Sequence, residues 1–300
     1  MRVRVRVPAS SANLGSGFDA LALALALHNT VEMEASHRVS VTVEGEGAGR
    51  LDRGPANVVA RGAALAFEAA GRAFHGATIH CVNRIPLSRG LGSSAAAWVA
   101  GLVGANALLG APLDRDAIVT LAARAEGHPD NVAAAVLGGL AVSSSTDAGF
   151  VAVALPVPSA IRWVVLVPEI ESSTRDARAV LPDTVPRADA VFNVQRVSLL
   201  LAALGTGRAD LLPVAMDDRL HQPYRRRLFP WMNAVESAAR AAGALGCVLS
   251  GAGSAILAAV QDPVEGVVQA MEGALHATGV KGRALVLAVD AVGAAWDRME

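Results

Sequence analysis

The chain has 300 residues, 53% of them apolar and 18% charged, so it is long enough to bury one large core or two smaller ones and reads as globular. Its 26 basic and 27 acidic residues leave a formal net charge of -1, which gives no electrostatic reason to bind nucleic acid or an anionic membrane. A small molecule is the expected partner. Cys81 and Cys247 stand far apart and in no metal-ligand spacing, which fits two reduced thiols of a cytoplasmic protein better than a disulfide.

In chain order, the first strand signal is Val3 to Val7, where Arg2, Arg4 and Arg6 alternate with valines at the period of a strand. An apolar run from Ala20 to Leu27 follows, but the arginine alternation, Asp19 at its edge and the Ala/Leu pattern of the run itself oppose an export signal. No uninterrupted apolar stretch approaches the roughly 20 residues of a membrane-spanning helix. Between the two runs, Pro8 to Asp19 packs small and polar residues into a loop. Its Asn13 amide and Asp19 carboxylate can meet a hydroxyl and a cationic amine; the alternative is an Asx-rich turn with Asp19 as a cap.

Further strands are expected at Val39 to Val43, Ala77 to Val82, Leu140 to Ser144 and Ile161 to Val167, interleaved with helices at Asn57 to Phe74, Ser93 to Leu109, Asp114 to Ala125, Ala190 to Leu204 and Trp231 to Ala244. The final third reads as Cys247 to Ser250, a glycine turn, Ala255 to Val260, and a last strand near Ala284 to Val289. Such interleaving indicates an α+β or α/β protein. Ser, Asp, Gly and Pro cluster between Ser143 and Pro158, which suggests two lobes, 1–155 and 156–300.

The strongest local signal is Pro86-Leu87-Ser88-Arg89-Gly90-Leu91-Gly92-Ser93-Ser94-Ala95-Ala96, leaving a strand and entering a helix. Gly90 and Gly92 allow a tight turn and a close backbone approach, and the free N–H groups at the helix start attract an anion. Ser94 can offer its hydroxyl to a metal-bound phosphate. The alternative is an ordinary glycine-containing turn with capping serines. A second segment, Glu126-Gly127-His128-Pro129-Asp130-Asn131, ends one helix and opens another. A carboxylate facing a phosphate site is a reasonable Mg²⁺ ligand, since Mg²⁺ takes one or two carboxylates and fills its shell with water and phosphate; otherwise Glu126 is a surface charge at a helix end.

The glycine loop lacks the lysine of a G-x-x-x-x-G-K-[ST] sequence and resembles instead the phosphate loop of the GHMP kinase superfamily. The opening Pro8 to Asp19 segment, together with Ser172 to Pro182 and Leu220 to Arg225, resembles the homoserine kinase branch. The resemblance covers nearly the whole chain. It implies a two-lobed α+β GHMP kinase fold, with a left-handed βαβ phosphate-loop unit in the N-terminal lobe and the nucleotide and alcohol in the cleft between lobes. It implies ATP and Mg²⁺ as cofactors, L-homoserine as substrate and, from family precedent, a homodimer.

By the same resemblance Pro86 to Ala96 hold the nucleotide phosphates, Asn57 contacts adenine, and Ser94 and Glu126 serve the metal. Asn13, Asp19, His128 and Asn131 line the alcohol site, with Asn13 on the reacting hydroxyl and Asp19 on the ammonium group. Arg178 and Arg225 bind the carboxylate, for which a guanidinium fork is suited. Taken singly, each arginine is also explained by a solvated surface position, and Asn57 by a helix cap. Gly251 and Gly253 in Leu249-Ser250-Gly251-Ala252-Gly253-Ser254-Ala255 fold against the phosphate loop, although the family's proline and small hydroxyl residue are replaced by Ser254 and Ala255. A kinase for another alcohol, such as mevalonate or a sugar, and a catalytically silent sensor of the same fold are the alternatives.

Overall fold

A computed structural model describes all 300 residues. The first strand, β1 (Arg2–Ala12), buries Val3, Val5 and Val7 completely and turns Arg2, Arg4 and Arg6 outward. From Pro8 onward every residue of β1 is buried, and the register with β2 (Leu21–Ala35) shifts between Pro8 and Ala9. The apolar run after Asp19 is thus the start of a 15-residue strand. Its Ala/Leu alternation has a packing reason. Leu21, Leu23 and Leu25 join the main core with Val248 and Leu257, while Ala22 and Ala24 form a tight alanine contact with Ala133 and Ala134 of an adjoining helix.

The chain continues through β3 (Ser40–Gly45), α1 (Val58–Ala69), β4 (Ala77–Asn83), α2 (Ser93–Leu108), α3 (Arg115–Glu126), α4 (Asp130–Leu137), β5 (Leu140–Thr146) and β6 (Gly149–Leu155). With β11 (Ala295–Met299) from the end of the chain, these build a seven-stranded sheet in the order β11-β1-β2-β4-β3, with β5 and β6 continuing from the other end of β2. One edge of β2 pairs with β4 over Thr30 to Ala35 and with β5 over Leu21 to Leu23. In the gap between them Asn29 Oδ1 accepts the amides of Arg84 and Ile85 at 2.8 and 3.0 Å. That bond replaces the ladder where the chain leaves β4 for the phosphate loop.

The second half contains β7 (Arg162–Pro168), α5 (Thr174–Ala179), α6 (Arg187–Thr206), α7 (Leu212–Ala215), α8 (Gln222–Arg225), α9 (Met232–Ala241), β8 (Gly246–Leu249), β9 (Ile256–Val260), α10 (Glu265–Ala277), β10 (Gly282–Leu287) and β11 (Ala295–Met299). Its antiparallel sheet, in the order β10-β7-β9-β8, is covered by a second core that includes Val235, Ala239, Val267 and Met271 of α9 and α10. The expected last strand ends at Leu287, and β11, which the sequence reading did not contain, returns to pair antiparallel with β1. A division at 155/156 therefore falls between sheets, but the last strand crosses it. Helix α1 stops five residues short of Phe74, since Gly71 turns left-handed at φ 66°. By length and apolar content α6 could cross a membrane, yet Asn193, Leu200, Ala203 and Leu204 pack inward.

Helices α1 and α2 touch backbone to backbone through Gly62 and Gly101. A Cβ on Gly101 would lie 2.1 Å from the Val59 carbonyl oxygen. Gly101→Ala should accordingly destabilise the protein by on the order of 1–3 kcal/mol, although alanine in a helix interior ordinarily gains about 0.5–1 kcal/mol over glycine. Urea unfolding reads the sign; stabilisation by this substitution would contradict the close helix contact.

Candidate active site

The phosphate loop is held by other segments rather than by itself. Ser10 N donates to Leu91 O at 3.1 Å, Ser172 N to Ser88 O at 2.8 Å and Ala255 N to Arg89 O at 2.9 Å. Ser250 Oγ donates to Gly90 O at 2.7 Å. The glycines are required at this point by space as well as by backbone angle. Gly90 has φ 75° and a Cβ there would sit 2.1 Å from Ser250 O; Gly92 has φ 68° and a Cβ there would sit 2.1 Å from Ser10 Oγ and 3.2 Å from Asn131 Oδ1. Gly92 caps α2, so the free amides of the first turn begin where the loop ends.

Glu126, the last residue of α3, accepts from Ser94 Oγ at 2.7 Å. Burial raises its carboxyl pKa, with the Ser94 hydrogen bond acting in the opposite direction. Past the left-handed cap Gly127, His128 Nδ1 lies 3.0 Å from Asp130 Oδ1, and that bond raises the histidine pKa. Asn131 Oδ1 accepts from Ser10 Oγ at 2.8 Å, tying the α4 start to β1.

The loop from Asn13 to Asp19 is strained. Asn13, Leu14 and Asp19 have φ of 74°, 48° and 55°; Asn and Asp enter this region at modest cost, whereas leucine does so rarely. Asn13 Oδ1 accepts the Asp19 amide at 3.0 Å and its Nδ2 donates to Gly251 O at 3.2 Å. Both oxygens of Asp19 are gripped by Arg178, each at 2.9 Å, and this bond raises the arginine pKa. The two predicted readers of opposite charges are therefore paired with each other.

Arg225 is buried, donating from Nε to Ala177 O at 3.1 Å and from Nη1 to Gly251 O at 2.9 Å. Burial, then the nearby Arg178 charge, lower its pKa to about 10, which still leaves it protonated at neutral pH. Both guanidiniums lie over Phe18, at 5.9 Å for Arg178 and 5.3 Å for Arg225. On Phe18 stacks His221, with ring centroids 5.0 Å apart. Burial drives the His221 pKa down to about 4. The neutral ring donates from Nε2 to Gly15 O at 2.9 Å and offers its Nδ1 lone pair to Arg225 Nη1 at 3.3 Å.

A cavity of about 400 Å³ adjoins the loop and is lined by Asn57, Leu87, Ser88, Ser93, Ser94 and Ala96 among others. Asn57 Oδ1 accepts the Val59 amide at 2.9 Å and its Nδ2 donates to Asp52 O at 2.7 Å, so its side chain is a helix cap whose polar atoms are already engaged. Ala95 is fully buried and Arg89 braces the loop by donating to Pro168 O at 2.9 Å. Gly251 does approach Gly90, as expected. Gly253 approaches the loop as well, its backbone N lying 2.8 Å from where a Cβ on Gly90 would sit, and a Cβ on Gly253 itself would meet the Phe229 ring at 2.5 Å. Ser254, in the place of the family proline, donates its hydroxyl to Ile170 O. A larger cavity of about 560 Å³ between the lobe linkers touches none of these residues.

Ser10, Phe18, His221 and Ser250 were missed by the sequence reading. Each lies inside a segment it had quoted, but a hydroxyl that spaces two loops or a neutral buried histidine has no sequence signature.

The fold and this cluster of loops define a small-molecule kinase. Residues 57–139 match the GHMP kinases N terminal domain family and residues 200–277 the GHMP kinases C terminal family. The chain is 46% identical to homoserine kinase from Moorella thermoacetica over 251 residues, 84% of this chain and 85% of that protein. It is 43% identical to homoserine kinase from Synechococcus sp. over 261 residues, 86% and 83% of the two chains. The crystal structure of homoserine kinase from Cytophaga hutchinsonii superposes with a TM-score of 0.89 at 31% identity, covering 99% of this chain and 97% of that one. Within the GHMP kinases, the chain belongs to the homoserine kinase family.

The two loop glycines predict different rescues. Gly92→Ala should weaken ATP binding, and adding Ser10→Ala should restore part of it by removing the hydroxyl in the way. The obstacle at Gly90 is backbone, so Ser10→Ala should restore nothing to Gly90→Ala. ATP titrations of the four variants decide this; equal rescue of both glycines would refute the assigned contacts.

Proposed function

We propose that this kinase transfers the γ-phosphoryl group of Mg-ATP to the side-chain hydroxyl of L-homoserine, giving ADP and O-phospho-L-homoserine, a step towards threonine. The carrying observation is the charge set beside the phosphate loop: one carboxylate, Asp19, and two guanidiniums, Arg178 and Arg225, around Phe18. An α-amino acid brings the complementary pair of charges. Mevalonate lacks the ammonium group and a neutral sugar lacks both.

Phosphoryl transfer asks mainly for positioning and charge neutralisation. In the proposed pose the amides from Gly90 to Ser94 hold the phosphates, and Asn13 orients the hydroxyl. His128 and Asn131 wall the alcohol, with His128 fixed by Asp130. The Ser94 hydroxyl and the Glu126 carboxylate, 2.7 Å apart, offer two hard oxygens and no larger ligand cluster. This donor set fits Mg²⁺, which completes its shell from phosphate and water; bound there it would neutralise phosphate charge. Asp19 is paired with a cation both here, by Arg178, and in the proposed pose, by the substrate ammonium, and an aspartate so paired is a weak base, which argues against Asp19 as the proton acceptor. The Ser94–Glu126 pair also argues against a silent sensor. The buried free thiols Cys81 and Cys247 suit a reducing cytoplasm, and family precedent offers a second copy as partner.

Purified protein with Mg-ATP should phosphorylate L-homoserine far faster than mevalonate, galactose or L-serine, read by coupled ADP release and by mass of the product. Turnover of another alcohol with homoserine inert would overturn the reading. Ser94→Ala and Glu126→Ala should each lower turnover on the order of 10² to 10³ with the melting temperature preserved. Wild-type turnover of Glu126→Ala at limiting Mg²⁺ would remove Glu126 from the metal site.

A further inference from the structure

The Asp19–Arg178 pair is a fork-to-fork ion pair on the alcohol side of the cleft, and it spans the two halves of the chain. Asp19 sits at the end of the strained Asn13–Asp19 loop, and Arg178 lies in the last turn of α5. The side chains are 37% and 39% exposed, so a solute arriving from the cleft meets them directly. The forked face of each partner is taken up by the other while both bonds stand.

The backbones behind the pair are fixed. Asn13 Oδ1 holds the Asp19 amide, and the buried Arg225 holds α5 through Ala177 O. Only the side chains have room to swing apart. Charges nearby decide what can separate them. Arg178 faces the guanidinium of Arg225 across Phe18 and the carboxylates of Asp19 and Asp130. Stripping Asp19 from Arg178 without replacement leaves two like charges flanking one ring.

We propose that the Asp19–Arg178 ion pair is the closed form of the amino-acid subsite and that the substrate replaces it as a whole, ammonium to Asp19 and carboxylate to Arg178. The proposal rests on the homoserine reading and deepens it. Asp19 and Arg178 are each paired with an opposite charge before and after this exchange. A hydroxy acid cannot do the same, because it would take Arg178 and leave Asp19 against a second carboxylate. An amino alcohol would take Asp19 and leave Arg178 beside Arg225. The pair thus rejects half-matched ligands by the charge they strand, a repulsive element of specificity as well as an attractive one.

The test is whether losing a binding residue improves binding. Inhibition constants against homoserine are measured for 4-hydroxybutanoate, which lacks the ammonium group, 3-aminopropan-1-ol, which lacks the carboxylate, and propan-1-ol, which lacks both. Asp19→Asn should raise the KM for homoserine at least tenfold yet tighten 4-hydroxybutanoate severalfold, since Arg178 is released. Arg178→Gln should likewise weaken homoserine and tighten 3-aminopropan-1-ol. In the unaltered enzyme, propan-1-ol should inhibit no more weakly than either singly charged analogue, a measurement that needs no variant to fold. If homoserine is phosphorylated but each lost group weakens binding stepwise, and neither variant tightens its analogue, the exchange is wrong and the substrate reading stands. If the unaltered enzyme leaves homoserine untouched, the substrate reading falls and the exchange with it.

Discussion

The approach of one backbone to another at Gly90 constrains everything around it. Ser250 Oγ donates to Gly90 O and accepts from Ser11 Oγ at 2.8 Å, while Gly251 N donates to Ala12 O at 3.1 Å. The phosphate loop, the end of β1 and the turn between β8 and β9 therefore share one small set of hydrogen bonds. Any side chain at Gly90 would have to push a carbonyl aside. Because the second sheet supplies that carbonyl, the loop has its shape only when the two sheets are packed together. The main core reflects this, since Leu23 and Leu91 from the first half and Val248 and Leu257 from the second belong to one cluster.

The glycine loop was legible because its constraint is local. A tight turn, a helix start and an anion site require glycines and small residues within a few positions, and the sequence shows them together. The same holds for β1, where Val and Arg alternate, and for Asp114, which accepts the Ala117 amide at 2.8 Å as the cap of α3. Strand β11 was not legible for the opposite reason. Ala295 to Met299 contains two charged residues and half-exposed Trp296, so it has no apolar stripe. It is a strand because β1 offers it an open edge, a fact stored some 290 residues away.

The candidate site divides in the same way. Ser94 and Glu126 were named separately as metal ligands, one from the helix start and one from a helix end, and they lie within a hydrogen bond of each other. Arg178 and Asp19 were also named separately, yet their pairing could not be read from either segment, since 159 positions separate them. Asn57 carried two readings, an adenine contact and a helix cap. The cap that the sequence offered as an alternative accounts for its side-chain oxygen and nitrogen, so any contact with adenine must come from what remains accessible of it in the cavity. Gly253 was assigned to the loop by the resemblance, and its backbone does approach Gly90, but the Phe229 ring and a φ of 88° are further reasons for glycine that the segment did not show.

The bonds that cross between the two halves lie on both sides of the site. At the nucleotide side Arg50 meets Glu171 at 2.7 and 3.0 Å, and Arg89 donates to Pro168 O. At the alcohol side Arg178 meets Asp19, and Asn13 Nδ2 donates to Gly251 O. The exposed Arg50–Glu171 pair is screened by water and salt, so it contributes little to holding the halves together. The buried bonds differ, because breaking one strands a polar group away from water. Asn13 and Ser250 therefore fix where the halves meet, while the half-exposed Arg178–Asp19 pair can open at modest cost. A site arranged in this way keeps its phosphate loop rigid and confines movement to the side chains that meet the acceptor, so selection among alcohols can occur without disturbing the machinery that holds the phosphates.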